Sequence, residues 1–256
     1  QSRKQQLSEL SERVARLKEK LASVAKQSDQ LSQSQVREKE QLQLILQVLT
    51  EEMKRLNGPE VQKKNLVVGG IPVDSEYIIF VIDTSGSMQT SAWGKLQIEM
   101  INILNVYPGV KGIQVLSDRG DYMFKESDKR WIPDSPETRA KITTRLKTWA
   151  PTSFSNPAQG IETALEDFYK KGLLISIYTL GDDFQGDSLR RVVEKVDRLN
   201  MPNRGGDRLV RIHAIGFPVQ FRKGTSPSMA AIRFAAAMRE LSYNNDGTFI
   251  GLNSLE

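Results

Sequence analysis

The chain has 256 residues, of which 39% are hydrophobic and 26% are charged, a composition typical of a soluble protein. It contains no cysteine, which excludes disulfide bonds and thiolate metal sites. No apolar run approaches the roughly 20 residues that a transmembrane helix needs. The first residue is Gln rather than Met, so we expect a processed or truncated chain, which leaves open whether a targeting or anchoring segment preceded it.

The net charge of +5 is unevenly distributed along the chain. Residues 1–64 hold 13 Lys and Arg against 9 Asp and Glu, whereas the remainder holds 23 against 22. The basic character therefore comes mostly from the N-terminal segment. A nearly neutral remainder argues against a nucleic-acid-binding face in that part of the chain.

The N-terminal segment carries a heptad repeat. Its first 57 residues contain neither Gly nor Pro. A single heptad register runs from Leu7 to Leu56, and 11 of its 15 a and d positions are apolar. A repeat held this long predicts a left-handed coiled coil, which at ~1.5 Å per residue spans about 75 Å. We expect residues 1–57 to form a self-associating stalk, as a parallel dimer. The alternative is a long helix that folds back on the following domain.

Residues 58–73 are predicted to be a linker, because Gly58-Pro59 stops the helix and Gly69-Gly70 gives a bend. Apolar strands and amphipathic helices then alternate over residues 74–256, which predicts an α/β domain with a mostly parallel, Rossmann-like sheet flanked by helices. The predicted strands are 77–82, 112–117, 121–125, 173–180, 210–217 and 248–252. The predicted helices are 92–106, 136–147, 157–171, 188–199 and 229–241.

A carboxylate and two hydroxyls follow the apolar strand 77–82 at alternating positions: Asp83, Ser85 and Ser87. These are hard oxygen ligands of the kind that Mg²⁺ takes in an octahedral site. In parallel sheets, ligands bind outside the carboxyl ends of the strands. The sequence therefore predicts a magnesium site at this edge of the sheet. The alternative is that Ser85 and Ser87 only cap the next helix or satisfy a tight turn.

The segment 79–88, Ile-Phe-Val-Ile-Asp-Thr-Ser-Gly-Ser-Met, resembles the opening of a von Willebrand factor A domain. That family carries an Asp-x-Ser-x-Ser metal-ion-dependent adhesion site, completed by a Thr and an Asp from two further loops. The resemblance covers about residues 74–256. It implies that Thr152 and Asp182 complete a site for Mg²⁺ or Mn²⁺ in this chain.

Two departures from the family pattern leave alternatives for these ligands. Pro151 stands where the family usually has Gly before its Thr, which makes the hydroxyl of Ser153 a competitor of Thr152. Asp183 stands where the family usually has Gly after its Asp, so Asp183 competes with Asp182.

The resemblance implies a metal-dependent protein-binding module, with no catalysis, whose partner offers an acidic side chain to the metal. The arrangement of stalk and domain is similar to bacterial membrane-anchored proteins, some of which accompany proton-channel motor units. We therefore expect a periplasmic or cell-envelope protein with its membrane helix upstream of residue 1. The alternatives are a cytoplasmic scaffold subunit of an ATPase or chaperone complex and a structural oligomer whose metal site is vestigial.

Enzyme classes find little support in the sequence. The phosphate-binding loop, the dinucleotide-binding glycine motif and the Gly-x-Ser-x-Gly elbow are all absent. A haloacid-dehalogenase-type phosphatase needs a second carboxylate where Ser85 stands. A catalytic triad would have to use His213, the only histidine, which lies in the middle of a predicted strand and is expected to be packed there.

Overall fold

The structure is a computed structural model that describes residues 12, 14–16, 67–68, 71–72, 75–107, 109–151, 153, 155–170, 172–185, 188–200, 210–220 and 228–255. By its internal contacts the chain divides into two compact units, residues 1–63 and 64–256. In the first unit, residues 12 and 14–16 are helical, and Arg16 forms an ion pair with Glu12 at 2.8 Å. The rest of the predicted stalk lies outside the described residues, so the coiled coil stays a prediction.

The second unit contains seven strands and five α-helices among its described residues. The strands are β1 (Val67–Val68), β2 (Ile71–Pro72), β3 (Tyr77–Ile82), β4 (Gly112–Ser117), β5 (Ile175–Gly181), β6 (Val210–Gly216) and β7 (Phe249–Gly251). The helices are α1 (Trp93–Val106), α2 (Pro136–Leu146), α3 (Pro157–Phe168), α4 (Leu189–Leu199) and α5 (Met229–Asn244). A π-helical turn, Met88–Ala92, leads directly into α1. None of the helices in the described part of the chain is long and apolar enough to cross a membrane.

The main sheet has five strands in the order β4-β3-β5-β6-β7, and every neighbouring pair is parallel. The predicted α/β fold with a parallel sheet is therefore confirmed. The chain first moves outward from β3 to β4 and then returns to place β5 on the other side of β3. The carboxyl ends of β3 and β5 thus form the topological switch point of the sheet, the usual position of a ligand crevice in such folds.

Helices cover both faces of the sheet, and the alternation of side chains along β3 explains how. Ile78, Phe80 and Ile82 belong to one core cluster together with residues of α1 and α2. Ile79 and Val81 belong to the other cluster, with residues of α3, α4 and α5. All five side chains are fully buried, as expected for a central strand of a parallel sheet. Helices therefore pack on both sides of β3, the strand that leads into the candidate site.

Some element boundaries differ from the prediction. Residues 121–125 do not form a second strand. They pair with β4 only around the bridge between Leu116 and Tyr122, and a 3-10 turn begins at Lys125. The helix predicted over 157–171 ends at Phe168.

Candidate metal centre

The candidate site begins at Asp83, the first residue after β3. Its side chain is 1% exposed, and its Oδ1 accepts the amide hydrogen of Ser85 at 2.9 Å. Its Oδ2 is buried and has no hydrogen-bond partner within the described part of the chain. Buried carboxylate oxygens are normally satisfied, because desolvating such a group without a partner is unfavourable. Asp83 therefore presents an oxygen that a cation could satisfy.

A chain of hydrogen bonds connects the first loop to the loop after β5. The hydroxyls of Ser85 and Ser87 lie 3.0 Å apart, and the Ser87 hydroxyl donates to Oδ1 of Asp182 at 3.1 Å. Asp182 follows Gly181, the last residue of β5, and is 2% exposed. The two loops at the switch point thus place two carboxylates and two hydroxyls in one hydrogen-bonded group.

The electrostatics of this group disfavour a charged Asp83. The pKa of Asp83 is raised to about 8, mainly because burial disfavours the charged form and also because the carboxylates of Asp118 and Asp182 lie nearby. The hydrogen bonds from Ser85 act in the opposite direction. A positive charge bound beside Asp83 would relieve both the desolvation and the repulsion.

Asp118 is completely buried at the end of β4. It is not among the ligands predicted from the sequence. Its Oδ1 accepts from the amide and the hydroxyl of Thr84, both at 3.3 Å. Its Oδ2 accepts from the Ser153 hydroxyl and from the amide of Asn156, the latter at 2.9 Å. Asp118 therefore ties the first loop to the second. The signal available in the sequence was an acidic residue directly after the predicted strand 112–117.

The second loop is described only in part. Thr152, the predicted ligand, lies outside the described residues. Ser153, its alternative, donates its hydroxyl to Asp118 and accepts the amide of Ser155 at 3.0 Å. Ser155 is 2% exposed with a φ of 55°, and its carbonyl accepts the amide of Gln185 at 2.8 Å. A left-handed serine that bridges the second and third loops was not foreseen from the sequence.

In the third loop the two adjacent carboxylates face different partners. Asp182 accepts from Ser87, as described above. Asp183 accepts the amide of Phe184 at 2.5 Å and the side-chain amide of Gln185 at 2.9 Å. Asp182 is therefore the carboxylate that contacts the first loop, whereas Asp183 is engaged within its own loop.

The residues present fit a small divalent cation when the hydroxyls are counted as ligands. Within the described residues, no group of three or more His, Cys, Asp or Glu side chains is arranged to hold a metal ion. Asp83, Ser85, Ser87 and Asp182 nevertheless form one group of hard oxygen donors, and the unpartnered Oδ2 of Asp83 belongs to it. Such oxygen donors suit Mg²⁺ or Mn²⁺.

His213 is packed within the sheet, as predicted. It lies in β6, is 1% exposed, and stacks on Tyr178 with ring centroids 4.8 Å apart. Its Nδ1 accepts the amide of Thr248 at 3.1 Å. Burial lowers the pKa of His213 to about 3, and the charge of Arg211 adds to this effect. The imidazole is thus a neutral structural group.

No protein-family model matches this chain, and no curated protein sequence matches it. It is similar to a von Willebrand factor type A structure from Catenulispora acidiphila, with 11% identity and a TM-score of 0.49 over 71% of this chain and 39% of that one. The pilus adhesin SpaC from Lactobacillus rhamnosus GG gives 12% identity and a TM-score of 0.48 over 71% of this chain and 29% of that one.

Proximal thread matrix protein 1 from the mussel byssus gives 12% identity and a TM-score of 0.46 over 71% of this chain and 44% of that one. The chain thus spans less than half the length of each of these three proteins. The α/β fold is established by the sheet itself, and membership in the von Willebrand factor A family stays a prediction.

Proposed function

We propose that residues 74–256 form a protein-binding module that operates through a bound divalent cation, Mg²⁺ or Mn²⁺. Asp83, Ser85, Ser87 and Asp182 would hold the ion, with Thr152 as the ligand expected from the second loop. The observation that carries this proposal is the buried Oδ2 of Asp83, which has no partner in the described part of the chain. The same loop carries the hydroxyls of Ser85 and Ser87, which connect it by hydrogen bonds to Asp182 in the loop after β5.

The cation would supply an electrophilic contact for a partner's carboxylate. If Asp83 and Asp182 contact the ion through waters, its direct ligands from this chain are neutral hydroxyls, and an acidic side chain from outside would complete the coordination. The protein's own residues hold the loops in place: Asp118 fixes Thr84 and Ser153, and Ser155 accepts from Gln185. We infer binding and not catalysis, which accords with the buried position of the chain's only histidine.

The N-terminal heptads support a second part of the proposal, that a dimeric stalk displays this module at a distance from its anchor, in the cell envelope of a bacterium. The support is the unbroken frame from Leu7 to Leu56. Sedimentation equilibrium of the full chain tests the stalk: we expect a dimer that becomes a monomer when Leu17 and Leu21 are both replaced by Glu, because charges in the seam oppose association. A monomeric wild type would contradict the stalk.

Thermal unfolding in increasing Mg²⁺ or Mn²⁺ tests the metal site. An ion that binds only the native state stabilises it by about 2.7 kcal/mol at a hundredfold excess over Kd, which corresponds to about 5–10 °C for a domain of this size. Ser85→Ala should reduce this shift. Ser91→Ala, at an exposed position nearby on the same segment, should leave it unchanged. An equal shift in wild type and Ser85→Ala would contradict the assignment.

A further inference from the structure

The two edges of the main sheet differ in how they are covered. Outside β4, the residues that follow this strand add antiparallel bridges, Ile113 with Ile132 and Leu116 with Tyr122. Outside β7, no further strand pairs within the part of the chain that the structure describes. An open edge strand presents unpaired backbone N–H and C=O groups and is a template for pairing with another chain. The edge at β7 is therefore the place where a further strand could be added.

The register of β6 and β7 determines which backbone groups face outward. The carbonyl of Thr248 and the amide of Leu252 both bond to β6, each at 2.9 Å. In a parallel ladder, alternate residues of a strand bond to the same neighbour, so Ile250 between them also faces β6. The amide and carbonyl groups of Phe249 and Gly251 consequently point away from β6, toward the outside of the sheet.

The composition of β7 does not protect this edge. Natural proteins block open edges with proline, with charged side chains or with a bulge. The segment 248–252, Thr-Phe-Ile-Gly-Leu, contains neither proline nor a charged residue. Gly251 is exposed, and Phe249 and Ile250 are partly exposed. A strand from another molecule can therefore approach the edge.

The outward backbone groups of β7 are complementary to those of a second copy that runs in the opposite direction. When Ile250 stands opposite Ile250 of the second copy, Phe249 stands opposite Gly251 of that copy, and Gly251 stands opposite its Phe249. Each of these two outer pairs exchanges both of its N–H···O=C bonds, as hydrogen-bonded antiparallel pairs do. The contact is thus the same surface on both molecules, related by a two-fold axis.

The side chains of β7 fit this arrangement as well. The ring of Phe249 leans over the sheet toward β6, because a Cβ built on Gly216 would lie 3.3 Å from its Cζ atom. Across the axis the ring faces a glycine, Gly251 of the second copy, which offers no side chain to collide with it. On the other face of the sheet the two Ile250 side chains meet at the axis and bury apolar surface against each other.

We propose that β7 pairs antiparallel with β7 of a second copy of this chain and joins the two main sheets into one continuous sheet. Because the paired strands run in opposite directions, the two candidate metal centres lie at opposite edges of the joined sheet, and the assembly presents them on two sides. The contact is short and therefore weak by itself, and any tether that holds two copies together strengthens it. The proposal uses the residues of β7 and is independent of the metal centre.

The chain contains no cysteine, so a single introduced cysteine in the full chain reports the pairing. Ile250→Cys places a thiol at the two-fold axis, where the Cα atoms of a non-hydrogen-bonded antiparallel pair lie about 4.5 Å apart, a separation that a disulfide bridges. Asn253→Cys is the control, because it is more exposed but lies about 20 Å from its counterpart in the paired arrangement. In a glutathione buffer, we expect Ile250→Cys to form disulfide-linked dimers about tenfold faster than Asn253→Cys.

A charge placed in the paired segment should prevent the contact. Gly251→Lys puts an ammonium group opposite Phe249 of the second copy and should reduce the cross-linking of Ile250→Cys about tenfold. A Cβ at position 251 meets only the Phe249 ring, at 3.9 Å, so this variant is expected to fold. Asn253→Lys adds the same charge outside the paired residues and should leave the cross-linking of Ile250→Cys unchanged.

If Ile250→Cys lowers the thermal midpoint, a spin label on Asn253→Cys provides a second measurement. Pairing predicts a distance of about 20–30 Å between the two labels, including their arms, and a distance distribution without this component contradicts the pairing. Equal rates of cross-linking for Ile250→Cys and Asn253→Cys, or cross-linking that survives Gly251→Lys, overturn the proposal. These results do not depend on the thermal shift in Mg²⁺, so failure of the metal centre and failure of the pairing are distinguished.

Discussion

Gly181 and Asp83 approach each other so closely that position 181 has no room for a side chain. A Cβ built on Gly181 would lie 2.9 Å from the Cβ of Asp83 and 3.2 Å from its Oδ2. The last residue of β5 thus packs against the side chain that begins the candidate metal centre. The absence of a side chain at position 181 lets Asp83 keep its buried position between the two loops.

Gly181→Ala should therefore displace Asp83 and weaken metal binding. We expect a loss of about 1–3 kcal/mol in the free energy of unfolding, as is usual when a methyl group is forced into a packed region, together with a reduced thermal shift in Mg²⁺. Gly86→Ala is the matched control, because a Cβ there meets no atom within 4 Å. A normal Mg²⁺ shift in Gly181→Ala would contradict the close coupling of these two residues.

Asp118→Asn should destabilise the loops around the site. The carboxylate accepts from four donors belonging to Thr84, Ser153 and Asn156, and an amide NH₂ group would face some of those donors. We expect a loss of at least about 3 kcal/mol in the free energy of unfolding, measured by urea denaturation. Asp121→Asn, at an exposed position four residues from the strand end at Ser117, should change stability much less; equal losses would mean that Asp118 has no special role.

Acid should destabilise the domain through His213. The pKa of this residue is lowered by burial to about 3 in the folded state, whereas the ordinary value is 6.5. Between these values the unfolded chain binds a proton that the folded chain does not, so stability falls as pH decreases from 6.5 toward 3. The slope from this residue is at most about 1.4 kcal/mol per pH unit.

His213→Asn tests this slope, because an Asn oxygen can replace Nδ1 as the acceptor for Thr248. The free energy of unfolding at a pH of about 7 minus its value at about 4.5 should be lower in the variant than in the wild type, because only the wild type has the slope from His213 and both proteins keep the opposite slope from the raised pKa of Asp83. Loss of packing on Tyr178 lowers stability at both pH values and does not affect the difference. An unchanged difference would show that His213 does not contribute to acid sensitivity.

Two glycines should respond in opposite ways to the same substitution. A Cβ on Gly247 would lie 1.9 Å from the carbonyl oxygen of Ile212, a backbone atom of β6. Gly247→Ala should therefore displace the turn before β7 and destabilise the domain by about 3 kcal/mol or more. Gly94→Ala, in α1 with no atom within 4 Å of the added Cβ, should stabilise it by about 0.5–1 kcal/mol. Urea denaturation of both variants checks the difference in sign.

The sheet could be predicted from the sequence because its strands are short apolar runs with clear ends. Strand β3 was predicted with the observed bounds, Tyr77–Ile82, and the inward Val192, Val193 and Val196 of α4 are buried. The strand predicted over residues 121–125 was wrong, because this segment pairs with β4 only around the bridge between Leu116 and Tyr122 and a 3-10 turn begins at Lys125. Periodicity carries no information on such a contact.

The grouping of the candidate ligands could be predicted only where they follow a strand in a recognisable motif. Asp83, Ser85, Ser87 and Asp182 come together because β3 and β5 are neighbours, and parallel strands end at one edge. The role of Asp118 depends on the path of the second loop, which brings Ser153 and Asn156 to it. Sequence spacing does not encode that path.

Mn²⁺ binding measured by electron paramagnetic resonance tests the central claim most directly, because bound Mn²⁺ is distinguished from the free ion without any partner. For the wild type we expect one Mn²⁺ per chain that Mg²⁺ displaces. Asp83→Ala should bind none at this site while retaining its cooperative thermal unfolding. A wild type that binds no Mn²⁺, or an Asp83→Ala variant that binds it equally well, would contradict the proposed metal centre.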